Sequence, residues 1–92
     1  MIKYSFKELS DELRIGREIE FEFNDKQYSI TNSMDGYWYL YCDTNHVELL
    51  KICEFSDKVS LINKISDYEI EELSIQKIFD SFLYNIDSLS IL

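Results

Sequence analysis

The sequence predicts an α+β fold: an antiparallel three- to four-stranded meander, with a short N-terminal helix and two C-terminal helices packed on one face. Three observations carry this. Residues 17–32 form two alternating segments joined by Asn24 and Asp25, the pattern of a β-hairpin. An aromatic run from Tyr37 to Cys42 follows, rich in the residues that strands favour. Helical spacing is confined to the two ends, at Phe6, Leu9 and Leu13 and again at Ile75, Ile78, Phe79 and Phe82. Strands in the middle and helices outside them suit a sheet with its helices on one side.

Each element has a local reason. Ser5 and Glu8 have the spacing of a capping box, so a helix is expected over 6–14, ended by Gly16 in a left-handed C-cap. Ile19, Phe21 and Phe23 alternate with Glu18, Glu20 and Glu22, so the strand near 17–23 has one apolar and one acidic side. Asn24 and Asp25 both tolerate positive φ and can form a two-residue turn. That turn sets Phe21 opposite Tyr28 and Ile19 opposite Ile30, giving a second strand over 26–32. Residues 32–36 are a turn by composition, with Gly36 supplying a positive φ, and the third strand runs over 37–42. Residues 47–55 fit neither the helix nor the strand period, and hairpin spacing favours a fourth strand there. Ser56 and Asp57 can cap a helix with Val59, Leu61, Ile62 and Ile65 on its apolar face, and Ser74 can cap another. Residues 68–72 read as irregular or briefly extended. Residues 88–92 read as a packed tail or an added edge strand.

Composition bounds the function. Ninety-two residues, 46% hydrophobic and 15% aromatic, suit a single globular domain over 1–92 with one modest core. No stretch approaches the roughly 18 apolar residues of a membrane span, and no signal-peptide pattern opens the chain. Two cysteines without an export signal are expected to be reduced thiols, so a cytoplasmic location is expected. Eighteen acidic residues against nine basic give a net charge of −9, which repels phosphate backbones and anionic lipid. Neither nucleic acid nor membrane is therefore an expected partner. A basic protein is the complementary one, although the same charge also serves solubility alone.

Three groupings could carry chemistry. Cys42, His46 and Cys53, with Asp43, offer soft metal ligands, but their spacing matches no zinc knuckle and only one histidine is present. A Cys42–His46 nucleophile pair lacks a third orienting residue. Neither a metal nor another cofactor is expected, and Cys42 is read as a buried thiol on the Trp38/Leu40 side of its strand. Glu18, Glu20 and Glu22 stand about 7 Å apart along a strand, near the separation of paired glycosidase carboxylates, but no sugar-binding cleft accompanies them. No enzyme is expected.

The run from Gly16 to Phe23, with Phe6, Leu9, Leu13, Tyr28, Ile30 and the Tyr37–Tyr39 strand, resembles small proteins of low-GC Gram-positive bacteria and their phages. The segment from Phe55 and Ser56 through Ile70 to Leu73–Asp80 is similar to theirs as well. The chain departs at Asp25 and Glu72, where such proteins commonly carry glycine, so two turn geometries are in question. The resemblance implies no activity and no site residues.

The remaining candidate is a surface. If Trp38, Leu40 and Cys42 face the helices, then Tyr37, Tyr39 and Tyr41 share the outer face with Glu18, Glu20 and Glu22; the alternative is that the tyrosines point inward and Trp38 outward. A tyrosine row beside a carboxylate row offers rigid contact area flanked by charge. The expected function is a small acidic protein-binding module, such as an immunity-type or nucleic-acid-mimicking inhibitor of a basic protein. The alternative is a structural or accessory protein that self-associates, for example as a homodimer, through the same face or an edge strand.

Overall fold

The computed structural model describes residues 3–92; residues 1 and 2 of the expected 1–92 domain lie outside the described residues. The fold is α+β, as its sequence pattern requires. Helix α1 (Phe6–Arg14) precedes strands β1 (Ile19–Phe23), β2 (Lys26–Asn32), β3 (Tyr37–Cys42) and β4 (Val47–Glu54). Helix α2 (Lys58–Asp67), a two-residue hairpin of β5 (Glu69–Ile70) and β6 (Leu73–Ser74), helix α3 (Ile75–Asp80) and strand β7 (Asn85–Ile91) follow. The main sheet is antiparallel in the order β4-β3-β2-β1-β7.

Capping fixes the helix ends. Ser5 and Glu8 form the capping box at the start of α1. At its end Gly16 takes φ +91°, its N–H donates to Leu13 O, and the Arg17 N–H donates to Glu12 O. These two bonds are the pair that closes a helix through a left-handed residue. Asp57 accepts the Ser60 N–H at α2, and Ser74 accepts the Lys77 N–H at α3. The Asp57 carboxyl is held below its ordinary range by those bonds to Ser60.

The first hairpin has the register that its residues dictate. Asn24 (φ 49°) and Asp25 (φ 65°) make the turn, and Phe21 pairs with Tyr28 and Ile19 with Ile30. The positions that resembled glycine sites thus form left-handed turns without glycine. Glu71 (φ 51°) and Glu72 (φ 72°) do the same between β5 and β6. The Asn24 amide donates to the Glu71 carboxylate at 3.2 Å, tying the two turns together.

One hydrophobic cluster joins the inner side of the sheet to the helices. Phe6, Leu9 and Leu13 of α1, Leu61 and Ile65 of α2, and Ile75, Ile78 and Phe79 of α3 pack with Ile19, Phe21, Ile30, Trp38 and Leu40. Phe21 stands edge-on to Phe79 and Tyr84 and is stacked with Tyr28. The Tyr84 hydroxyl donates to Tyr4 O and accepts the Tyr4 N–H, and Asp80 accepts the Phe6 N–H, so α3 and its exit hold the start of α1. Among the described residues no helix is long and apolar enough to cross a membrane.

Two helix faces differ from expectation. Val59 is 74% exposed, and the buried stripe of α2 is Leu61 and Ile65 with Ile62 at its side. Helix α3 ends at Asp80, so Phe82 falls outside it, at φ 53° and 39% exposed, rather than on the buried face.

Candidate functional site

On β1, β2 and β3 the side of the sheet away from the helices is built by alternation, and β4 joins it across two bulges. Glu20 pairs with Ser29, Ser29 with Tyr41, and Tyr41 with Glu48. The next row along joins Thr31, Tyr39 and Lys51, and Tyr37 pairs with Glu54 beyond it. Since paired residues share a face, the structure places Glu18, Glu20 and Glu22 together with Tyr37, Tyr39 and Tyr41 on one surface. The two rows do not touch side by side. Strand β2 runs between them with Gln27, Ser29 and Thr31, so the rows stand about 10 Å apart, two strand spacings.

Each member has a defined setting. The Glu18 carboxylate accepts the Asn32 N–H at 3.0 Å, and the Glu22 carboxylate accepts from the Asn85 amide at 2.7 Å. Among the described residues Glu20, between them, makes no side-chain hydrogen bond or ion pair and faces outward half-exposed. Tyr39 is buried: its ring stacks on Tyr41 with centroids 5.7 Å apart, and its hydroxyl bonds the Asp35 carboxylate. That bond raises the Tyr39 hydroxyl to about 12 and lowers the Asp35 carboxyl. Lys51 Nζ sits 4.1 Å from the Tyr37 ring centroid and 5.9 Å from that of Tyr39, a cation resting on the aromatic row.

Sequence reasoning missed five charged contributors to this face. Glu48, Lys51 and Glu54 arrive on β4, whose register slips twice. Asp35 and Asp43 arrive from turns: Asp35 through Tyr39, and Asp43 through the Ser29 hydroxyl, which donates to it at 3.1 Å. The Asp-Gly pair at Asp35–Gly36 and the Asp43 turn onset were legible as turns, but nothing in them marks which face the carboxylate joins.

Charge is unevenly spread over the fold. The helices balance Lys7, Arg14, Lys58, Lys64 and Lys77 against Glu8, Asp11, Glu12, Asp67 and Asp80. In the outer rows described above, Lys51 stands against Glu18, Glu20, Glu22, Asp35, Asp43, Glu48 and Glu54.

The other grouping is dispersed. Cys42 pairs with Val47 and Cys53 with Trp38, at opposite ends of the β3–β4 ladder and about 13 Å apart at strand rise. Cys42 is buried on the inner side. The Cys53 thiol donates to Asp57 O, and burial is the main cause of its raised pKa. His46 is exposed in the β3–β4 turn at φ 55°. Among the described residues no three His, Cys, Asp or Glu side chains converge as a metal set.

No protein-family model matches this chain, and neither the curated proteins nor the solved structures yield a match. The resemblance noted above therefore rests on its strand, turn and cap residues alone.

Proposed function

We propose that this chain is a non-enzymatic protein-binding module whose open sheet face receives a basic protein, in the manner of an inhibitor that occupies a partner's anion-binding surface. The observation that carries this reading is the uneven charge: the helices balance five basic against five acidic side chains, while the uncovered face sets seven carboxylates against Lys51, with stacked tyrosines among them. Such a face steers a cationic partner from a distance and offers it rigid aromatic area on contact.

Affinity capture from a host lysate tests it, with the wild-type chain and a Glu20→Lys/Tyr41→Ala variant compared at low and high salt. One stoichiometric basic protein that leaves at high salt and is lost with the variant supports the reading. Recovery of the chain alone, as an oligomer that the variant leaves intact, refutes it in favour of self-association.

A further inference from the structure

On the inner side of the sheet a cavity of about 230 Å³ opens between the strands and β5. The row of side chains that crosses the strands there runs from Tyr28 on β2 through Cys42 on β3 to Val47 on β4. Cys42 and Val47 are short beside the Tyr28 ring, so space remains between this row, Leu49, Tyr68 and Ile70. Tyr28 is 3% exposed, yet its hydroxyl has no hydrogen-bond partner among the described residues. The other two buried tyrosines each bond through theirs, Tyr39 to Asp35 and Tyr84 to Tyr4. No fully enclosed side-chain nitrogen or oxygen among the described residues lacks a partner, so the Tyr28 hydroxyl keeps its opening at the cavity. We propose that this cavity binds an uncharged phenol, its ring held among Leu49, Tyr68 and Ile70 and its hydroxyl bonded to that of Tyr28. The site lies on the opposite side of the sheet from the glutamate and tyrosine rows and is independent of the reading given for them.

Three features argue for that ligand. The first is size. Pockets for drug-sized molecules hold about 300–1,000 Å³, whereas an apolar cavity of about 150 Å³ accommodates benzene, so this one suits a single substituted ring. The second is the lining. Tyr28 and Tyr68 present aromatic surface, and Leu49 and Ile70 present aliphatic surface, which together favour a flat apolar body. The third is the head group. The buried lining residues are Tyr28, Cys42 and Ile70, none of them ionised, so a carboxylate or ammonium pushed inward would lose its water without gaining a counter-charge. A hydroxyl both donates and accepts, and so complements the Tyr28 hydroxyl in either direction. Burial raises the pKa of that hydroxyl, and the neighbouring Cys42 and Glu71 raise it further, so it remains a neutral O–H at ordinary pH. The bond from Asn24 to Glu71 ties the β5–β6 turn to the first hairpin and holds this side of the cavity in place.

The test titrates the full chain with p-cresol, toluene and p-toluate, which share one shape and differ in the head group, and follows amide chemical shifts. Saturable shifts with p-cresol are expected at Tyr28, Cys42, Leu49 and Ile70, with a Kd of about 0.1–1 mM, the range of ligands this small. Tyr28→Phe keeps the ring on Phe21 and removes the hydroxyl. It should weaken p-cresol about three- to tenfold, the worth of one neutral hydrogen bond, and leave toluene unchanged, which also shows that the cavity is intact. Val47 is 45% exposed, so Val47→Trp adds bulk at the side of the cavity from outside the core, and it should abolish binding of both. A tyrosine side chain of another protein carries the same phenol as a free molecule. Tighter binding of N-acetyltyrosine amide than of p-cresol would assign the site to the side chain, the reverse to the free molecule, and either supports the site. No saturable shift at the four residues up to the solubility of p-cresol overturns the proposal and leaves the cavity to solvent. Equal p-cresol affinity in wild type and Tyr28→Phe, or p-toluate binding as tightly as p-cresol, overturns it as well.

Discussion

Glu72 occupies a backbone conformation that its side chain does nothing to favour, and replacing it should stabilise the protein. Its φ is 72°, next to Glu71 at 51°, in the two-residue turn between β5 and β6. An L-residue with a Cβ is disfavoured there by about 1–2 kcal/mol, whereas glycine is not. Glycine also loses more chain entropy on folding, which returns about 0.4–1 kcal/mol of that difference. Glu72→Gly is therefore expected to add about 0.5–1 kcal/mol. Glu71 is the poorer target because it accepts the Asn24 amide bond, which its substitution would remove. Gly16→Ala is the reciprocal control. Its φ is +91°, and an added Cβ would meet Phe55 at an ordinary 3.5 Å, so the loss would come from backbone strain and not from a clash. About 1 kcal/mol in either direction corresponds to about 4–8 °C in Tm for a domain of this size. Thermal unfolding followed by circular dichroism, with urea midpoints at 25 °C, reads both. A Glu72→Gly protein with unchanged or lower Tm, beside a Gly16→Ala protein that falls as expected, would refute the claim that this turn stores strain.

Phe21→Ala removes a fully buried ring in contact with Tyr28, Phe79 and Tyr84, and is expected to cost about 3–5 kcal/mol in urea unfolding; a loss under 1 kcal/mol would mean that the aromatic cluster is not the centre of the core. Tyr39→Phe should return the Asp35 carboxyl toward its ordinary range, as read by carboxyl-carbon NMR titration. In the wild type the lowered Asp35 value means that its share of stability is present above the unfolded pKa of about 3.8 and is lost as pH falls through the lower folded value. The Tyr39 share runs the other way: it is intact below pH 10 and is lost as pH rises through about 12. Asp80→Ala should cost about 1 kcal/mol by stranding the Phe6 N–H at the start of α1, and Asp80→Asn should recover most of it; equal losses for the two would place the effect elsewhere.

Much of the fold was legible because several short-range rules agree. In the first hairpin the alternation, the turn residues and the facing apolar pairs all demand one register, and Phe21 does stand opposite Tyr28. The same holds for α1, where cap, stripe and Gly16 coincide. Strand β4 was ambiguous for an identifiable reason. Leu50 pairs with Leu40 but Glu48 with Tyr41, and Cys53 pairs with Trp38 but Lys51 with Tyr39. Leu49 and Ile52 are thus each an extra residue in the ladder, and each bulge reverses the alternation. A strand with two phase reversals in eight residues shows neither period, although it pairs along its length. Strand β7 was similarly obscured, since its register against β1 shifts between Ser90 and Asn85.

The bulges bear on the surface as well as on the reading. A bulged edge is a poor template for another strand, because its free N–H and C=O groups no longer lie in a straight repeat. Both outer strands of this sheet, β4 and β7, carry such irregularities, while the three inner strands β1, β2 and β3 pair without a slip. Regular pairing is what keeps Glu20, Ser29 and Tyr41 in one row, so the irregularity falls on the edges and the order falls on the face. That distribution argues for contact through the face over contact by edge addition. It also explains which half of the candidate site could be read in advance. The glutamate and tyrosine rows are set by alternation within single regular strands. Asp35, Asp43, Glu48 and Lys51 depend on turns and bulges whose outcome is decided by the partner strand.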